Sequence, residues 1–564
     1  MEVKNILFVA PFAEDFNELY NVKETDRYEY DINGNQVKKF SFFMPMGAVA
    51  LSTWIGNIMP QVKCSIVDCN NFIYKRIKEG TFQKKDTFDT IINNYFSSWK
   101  NSNDEPDIIG ITLNTTTEYN NFFIIISCLR ELFPNSVIIS GGVTASYVYS
   151  DIFLKSECID AVCVGEGEIP FKILLESHES YTEVFNNCSA FATKHKPIDK
   201  IQAIRVEDLN ILPPYDFSLL SDIDLYFDYI YSNHISSYKK IYDIYLATSR
   251  GCVFNCYFCN TKSICGKGIR YFSDEWVFNT IDNICIQLQH TKFNCITFTD
   301  ELLFLKFERA KKYFEYCKNK GIFSFPGNSS FITSSQEVID LIKEMSPGYV
   351  SLPLESGSQR VLKSIIKKPI DINKVPTIIK NYREAGIIVR LGVMIGLPGE
   401  TKNDIREEIE YYKTLEIDWL GISFATPFPG SDLYEDCIKN NYLACKSIGD
   451  IRLKKAVIQT EDFSTEYLED ILYFINLEVN FKYNYNIRAG EYDRALIMFK
   501  EVLNVVPEHA FAFYYMAKCY RELGQLDKSD EYIAKYNQLI SKNEFWRSWS
   551  TRMNLETKGA CTYD

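Results

Sequence analysis

The chain has 564 residues, room at roughly 150 residues per domain for about three or four domains, and it is no single small module. With 46% hydrophobic and 24% charged residues, 18 Pro and 26 Gly, it has the composition of an ordinary globular protein, which excludes disordered, collagenous and mucin-like classes. Its 61 basic and 74 acidic residues leave a net charge of -13, so the whole-molecule field does not attract phosphate backbones and no nucleic-acid partner is expected.

The first residues, MEVKNILFVAPF, hold too short an apolar run for a secretory signal, and no window reaches the ~18 apolar residues of a membrane span. A cytoplasmic protein without membrane partners is expected. The 17 cysteines are scattered and odd in number, which fits a reducing compartment where thiols are buried hydrophobes or metal ligands.

In chain order, the runs Asn5 to Phe12, Lys63 to Cys69, Asp107 to Leu113, Ser136 to Gly142 and Ala161 to Glu168 alternate with helical patterns. Such alternation predicts βαβ units on a parallel sheet. A ligand of an open parallel sheet lies beyond the carboxyl ends of its strands. Those ends carry Pro45-Met46-Gly47, Thr112, Gly141-Gly142 and Gly165-Glu166-Gly167. The sheet signal fades near residue 190, and the Pro-Pro segment Val206 to Leu220 reads as a linker over a surface. From Ile241 to about Cys445, YDIYLATS, CITFTDE, IFSFPGNSS, YVSLPLES, VRLGVMIGLPGE and GISFATPF alternate with helical stretches. That repeat predicts a partial (β/α)6 barrel, reactive at the carboxyl ends of its strands. Beyond Cys445 the pattern is helical. Gly490, Tyr492, Ala495, Phe499 and Pro507 follow a tetratricopeptide (TPR) spacing, and Gly524, Leu526, Ser529 and Ile533 repeat it; an unrelated helical hairpin is the other reading. The expected organisation is an α/β protein with a sheet domain over 1–190, a linker over 191–240, the partial barrel over 241–445 and a helical, TPR-like domain over 446–564.

The strongest chemical signal is TSRGCVFNCYFCN, which spaces Cys252, Cys256 and Cys259 as CxxxCxxC. Three thiolates in one loop can hold three irons of a [4Fe-4S] cluster and leave the fourth open to a ligand. A structural zinc site asks for four ligands, and Cys265 supplies only an irregular spacing.

CxxxCxxC after the first strand of a partial barrel closely resembles the radical S-adenosylmethionine (SAM) superfamily. The resemblance implies that Cys252, Cys256 and Cys259 hold the cluster, that SAM binds the open iron, and that its reductive cleavage gives a 5'-deoxyadenosyl radical. It further implies that Phe258 faces the adenine, that Asp300 and Glu301 close the second strand near the SAM amino group, and that Glu355 of LPLESGS contacts SAM. Arg390, Gly392 and Gly396 of VRLGVMIGLPGE match a subgroup's fifth strand, whose glycines leave room for adenosine. Each has a plain structural counterpart: a solvated acidic pair, a tight strand-to-helix turn.

The sheet segments upstream make the chain similar to the cobalamin-binding subgroup of radical SAM enzymes, whose N-terminal domain is Rossmann-like. Thr112, Gly141, Gly142 and Gly165-Glu166-Gly167 then line the cobalamin side. No DxHxxG motif contains any of His178, His195, His234, His290 or His509, as is usual in that subgroup, and Val143-Thr144-Ala145 replaces a more typical His-Ala-Thr. The function implied is cobalamin-dependent methylation of an unactivated carbon in a peptide or natural-product intermediate, with a flavodoxin- or ferredoxin-type electron donor as partner. A non-methylating cyclase or rearrangement enzyme of the same architecture fits the same residues. A TPR-based interaction protein with a redox cluster leaves Glu355 and GLPGE without a reason. A tRNA methylthiotransferase fits less well, because Cys64, Cys69, Cys128, Cys158 and Cys163 form no second cluster pattern.

Overall fold

A computed structural model describes residues 3–40, 43–81, 86–228, 240–346 and 348–555. His234 lies outside the described residues. The N-terminal strands are β1 (Asn5–Ala10), the hairpin pair β2 (Tyr28–Tyr30) and β3 (Gln36–Lys38), β4 (Lys63–Asp68), β5 (Ile108–Thr112), β6 (Val137–Gly141), β7 (Ala161–Cys163) and β8 (Phe191–Ala192). Six of them form one sheet in the order β4-β1-β5-β6-β7-β8. Every ladder is parallel except β7 with β8. Side chains alternate across a strand, so Ile6 and Phe8 of β1 enter one core and Leu7 and Val9 the other. A sheet covered on both faces needs such unbroken apolar runs.

The barrel strands follow as β9 (Asp243–Leu246), a short antiparallel ribbon of β10 (Ser249–Arg250) and β11 (Arg270–Tyr271), then β12 (Cys295–Phe298), β13 (Phe323–Pro326), β14 (Tyr349–Glu355), β15 (Ile388–Ile395) and β16 (Trp419–Phe424). They assemble as two parallel three-stranded sheets, β13-β12-β9 and β14-β15-β16. Ile244, Ile296, Leu352 and Leu391 pack in one core with the helices outside them.

Downstream, the chain is helical over Thr465–Leu477, Tyr492–Val505, Ala510–Glu522, Leu526–Lys542 and Glu544–Arg552. Phe499, Tyr515, Tyr536 and Trp546 form their shared core. The helix Tyr492–Val505 also closes the amino-terminal end of the barrel, where its Met498 packs with Ile241, Cys295, Phe325, Tyr349 and Ile388. The same end is tied by charge. Fully buried Asp418 lies 3.1 Å from Arg383 and accepts from Arg494 at 2.7 Å. Asn480 exchanges hydrogen bonds of 2.7 and 2.8 Å with the backbone of Leu420.

Candidate active site

The three-cysteine loop leaves the carboxyl end of β9 and turns through the β10–β11 ribbon. Gly251, at φ +105°, passes so close to the turn before β11 that a Cβ would lie 2.3 Å from the Gly268 carbonyl oxygen; only glycine fits there. Beneath the loop, buried Asp300 accepts from the Thr248 amide at 2.9 Å and hydroxyl at 2.8 Å, and also from the Ser249 hydroxyl. Arg309 reaches the Thr248 hydroxyl, the Thr248 carbonyl and the Phe272 carbonyl, each at 2.8 Å. Asp300 is therefore committed to holding the loop's base.

The cysteine segment is itself anchored. The Tyr257 amide donates to the Ile366 carbonyl at 3.0 Å, its carbonyl accepts from Leu433 at 3.0 Å, and its hydroxyl reaches Asp436 at 2.9 Å. Cys252, Cys256 and Cys259 are all partly exposed. Cys259 lies 3.2 Å from the Thr261 hydroxyl, which reaches Glu301 at 3.2 Å. Burial pushes the Cys256 thiol up to about 11; the Lys368 ammonium works against that shift, while Cys259 and Cys252 add to it. Three sulfur donors on one partly exposed loop are the donor set that three irons of a [4Fe-4S] cluster take. Phe258 is half-buried against the barrel core.

Glu355 ends β14 in a left-handed conformation, φ +78°, where a bulge shifts the register against β15. Its carboxylate pairs with the Lys368 ammonium at 2.9 Å, and Lys368 also donates to the Pro353 carbonyl at 2.6 Å. Both side chains are nearly buried, and both act electrostatically on Cys256, so the structure brings Glu355 to the cysteine loop. Lys368 has no signal in the sequence, because it stands 13 residues from its partner in an ordinary Lys-Lys-Pro. Behind the pair, Glu408 accepts from the Ser356 hydroxyl and from Tyr412 at 2.9 Å. Glu400 accepts from the amides of Gly396 at 2.6 Å and Leu397 at 3.0 Å. Burial and the neighbouring Glu408 hold the Glu400 carboxyl far above its ordinary range.

Of two residues expected near SAM, one lies at the other end of its strand and one has its side-chain space taken. Arg390 lies near the start of β15, paired in register with Ser351 and Trp419, and is close to Tyr349 and Glu501 at the end that the helical tail closes. Five residues of strand, about 16 Å, separate it from the carboxyl end. Gly396 is at that end, but at φ +92° its missing side chain accommodates Leu468, 2.8 Å from a notional Cβ.

On the sheet side, Thr112 pairs with Gly141 at the ends of β5 and β6. Gly142, φ +104°, turns where a Cβ would strike Asn114 at 2.5 Å. Gly141 is open, a Cβ meeting nothing nearer than Cys163 at 3.9 Å. Gly165 and Gly167 abut Ala203 and Leu51. Glu166 is occupied: it takes Arg270 at 2.5 and 3.0 Å, Arg250 at 3.4 Å and the Val206 amide at 2.8 Å. Arg250 also reaches Glu168 at 2.7 Å. A second contact joins the helix after β6 to the barrel, where Gly430 lies against the Tyr147 ring, 2.5 Å from a notional Cβ. Gly430 in turn accepts from Ser263 at 2.7 Å. A third is the Thr116 hydroxyl donating to the Ile451 carbonyl at 2.5 Å. The carboxyl edge of the sheet thus faces the cysteine-loop end of the barrel. His509 is remote, buried in the tail against Phe481 and Trp546.

Residues 246–412 match the model of the radical SAM superfamily. An uncharacterized methyltransferase, PH0819, of Pyrococcus horikoshii is 26% identical over 372 residues, covering 65% of this chain and 77% of that protein. The cytidylyl-2-hydroxyethylphosphonate methyltransferase of Streptomyces wedmorensis is 24% identical over 372 residues, covering 60% of this chain and 68% of that one. The cobalamin-dependent SAM radical enzyme OxsB, solved with aqua-cobalamin and SAM bound, superposes with a TM-score of 0.58 at 14% identity, over 100% of this chain and 82% of that chain. Among the described residues no helix is long and apolar enough to cross a membrane.

Proposed function

We propose that this chain, whose residues 246–412 match the radical SAM superfamily, is a cobalamin-dependent radical SAM methyltransferase acting on an unactivated carbon of a peptide or natural-product intermediate. The observation that carries the proposal is the apposition of two strand-end faces, the glycine-bearing edge of the sheet and the cysteine-loop end of the barrel. One ligand bound at each edge would look at the other across a shared cleft. Relatives that are methyltransferases by name support the same reading.

When bound, the [4Fe-4S] cluster and SAM would supply radical chemistry, and cobalamin would supply a transferable methyl group. The chain's own tasks are placement and exclusion of water. Cys252, Cys256 and Cys259 would hold three irons. Phe258 offers an apolar face beside them, and Glu301 presents an exposed carboxylate at the loop's rim. Glu355, fixed by Lys368, would contact SAM. Asp300 and Arg309 keep the loop's base rigid. Thr112, Gly141 and Gly142 line the cobalamin edge, with Gly141 giving the open approach. A small flavodoxin or ferredoxin is the electron donor.

The test is anaerobic reconstitution with iron, sulfide and cobalamin, followed by reaction with methyl-deuterated SAM under reducing conditions. Formation of 5'-deoxyadenosine and of deuterated methyl on cobalamin, both lost in Cys256→Ala, is the expected result. Deoxyadenosine without bound cobalamin would overturn the methyltransferase in favour of a non-methylating radical enzyme. Neither product from an intact cluster would overturn both and leave an interaction protein built on the helical tail.

A further inference from the structure

Glu166 was expected to line the cofactor edge, yet its oxygens are spent on arginines of the barrel. In space, the acids and bases alternate as Glu168, Arg250, Glu166, Arg270. Arg250 contacts Glu168 at 2.7 Å and Glu166 at 3.4 Å, and Arg270 closes a fork on Glu166 at 2.5 and 3.0 Å. The side chains are 7 and 9% exposed for the two glutamates, and 22 and 16% for Arg250 and Arg270. Two glutamates and two arginines make the group neutral. Although burial opposes ionisation, the Arg270 hydrogen bonds and the nearby Arg250 hold the Glu166 carboxyl below its ordinary range.

The placement matters more than the energy. Both glutamates sit at the carboxyl end of β7, on the turn into the helix Glu168–Glu176. Arg250 and Arg270 sit opposite each other on the β10–β11 ribbon, paired in register. That ribbon carries the cysteine loop: Arg250 is two residues before Cys252, and Cys252 itself bridges to Lys267, just before β11. A buried ionic network adds little stability over apolar packing, but its directional bonds select one arrangement.

We infer that Glu166, Glu168, Arg250 and Arg270 are positioning residues, a latch that sets the cysteine loop against the carboxyl edge of the sheet so that ligands on the two sides meet at transfer distance. This rests on the proposed function for its purpose, though not for its existence. The two fail separately in the test. Bidentate geometry makes Arg270 the sensitive member, because lysine keeps the charge and loses the fork.

The full-length protein, reconstituted with its cluster, is compared with Arg270→Gln and Arg270→Lys. Hydrogen-deuterium exchange is read at residues 161–168 and 249–272, with the helical tail as internal control. SAM, aqua-cobalamin and a chemical reductant then serve as probes for the ratio of methyl transferred to cobalamin over 5'-deoxyadenosine formed. Arg270→Gln should raise exchange roughly tenfold at the two latch segments alone and lower that ratio roughly tenfold, with Arg270→Lys between it and wild type. Exchange unchanged at both segments, or raised equally in the tail, would overturn the latch. Wild-type protein that takes up no cobalamin would count against the proposed function and leave the exchange result to decide the latch.

Discussion

Glu355 combines two costs that a strand end would ordinarily avoid, a positive φ of +78° and a nearly buried charge. A left-handed non-glycine residue costs about 1–3 kcal/mol and persists where the surroundings demand it. Glu355→Ala keeps the strain and abandons the ammonium, whereas Glu355→Gly relieves the strain; urea unfolding should find the glycine variant more stable by about 1 kcal/mol. Lys368→Met strands the carboxylate, and a loss of about 3–5 kcal/mol is expected in the same measurement. Glu408 gives a pH dependence. Burial pushes its carboxyl up to about 7 from an ordinary 4.5, so between those values the folded state keeps a proton that the unfolded chain has released. Stability from this group is complete below pH 4.5 and is lost as pH rises toward 7, with a slope of about 1.4 kcal/mol per pH unit. Glu408→Gln should flatten the melting temperature against pH in that window; an unchanged curve would show the carboxyl to be ionised throughout.

Among the elements, the strands with apolar sides on both faces were readable, because Ile6 to Val9, Ile108 to Ile111 and Ile388 to Ile395 permit few other uses. The hairpin β2–β3 and the antiparallel edge β8 escaped notice: they are two or three residues long and carry no periodicity. Site residues divided on the same physical ground. Cys252, Cys256 and Cys259 stand out in the sequence because ligand spacing within one loop is local. Arg390 misled because a strand pattern says nothing about which end a side chain serves, and Lys368, Arg270 and Glu168 act through contacts that only the fold creates. The tail shows a similar limit. Its repeat spacing pointed to paired helices, and nothing in that spacing singled out Met498 and Arg494 as the residues that close the barrel. Asp418 tests that closure. With two arginines against one buried carboxylate, Asp418→Asn should cost about 3–5 kcal/mol, seen as an earlier melting transition with dye-detectable apolar surface. A transition shared with wild type would mean that the tail merely rests there.

At the scale of the molecule, the three-cysteine loop is fastened by bonds of the chain itself. The Tyr257 amide is held by Ile366, its carbonyl by Leu433 and its hydroxyl by Asp436. Asp300 and Arg309 secure the base, and the arginine ribbon is clasped by the sheet. Small zinc modules are unfolded without their ion, since the metal's binding energy is their folding energy. Here the anchors of the loop are hydrogen bonds of the chain itself, so folding should not depend on iron. Chelation should therefore bleach the visible absorbance and leave the far-ultraviolet circular dichroism intact, and iron with sulfide should restore the colour without a refolding step. A collapse of the dichroism on chelation would refute this. If the dichroism holds, a cell whose iron supply fluctuates would keep a competent apoprotein, and maturation would be a question of delivery rather than of folding.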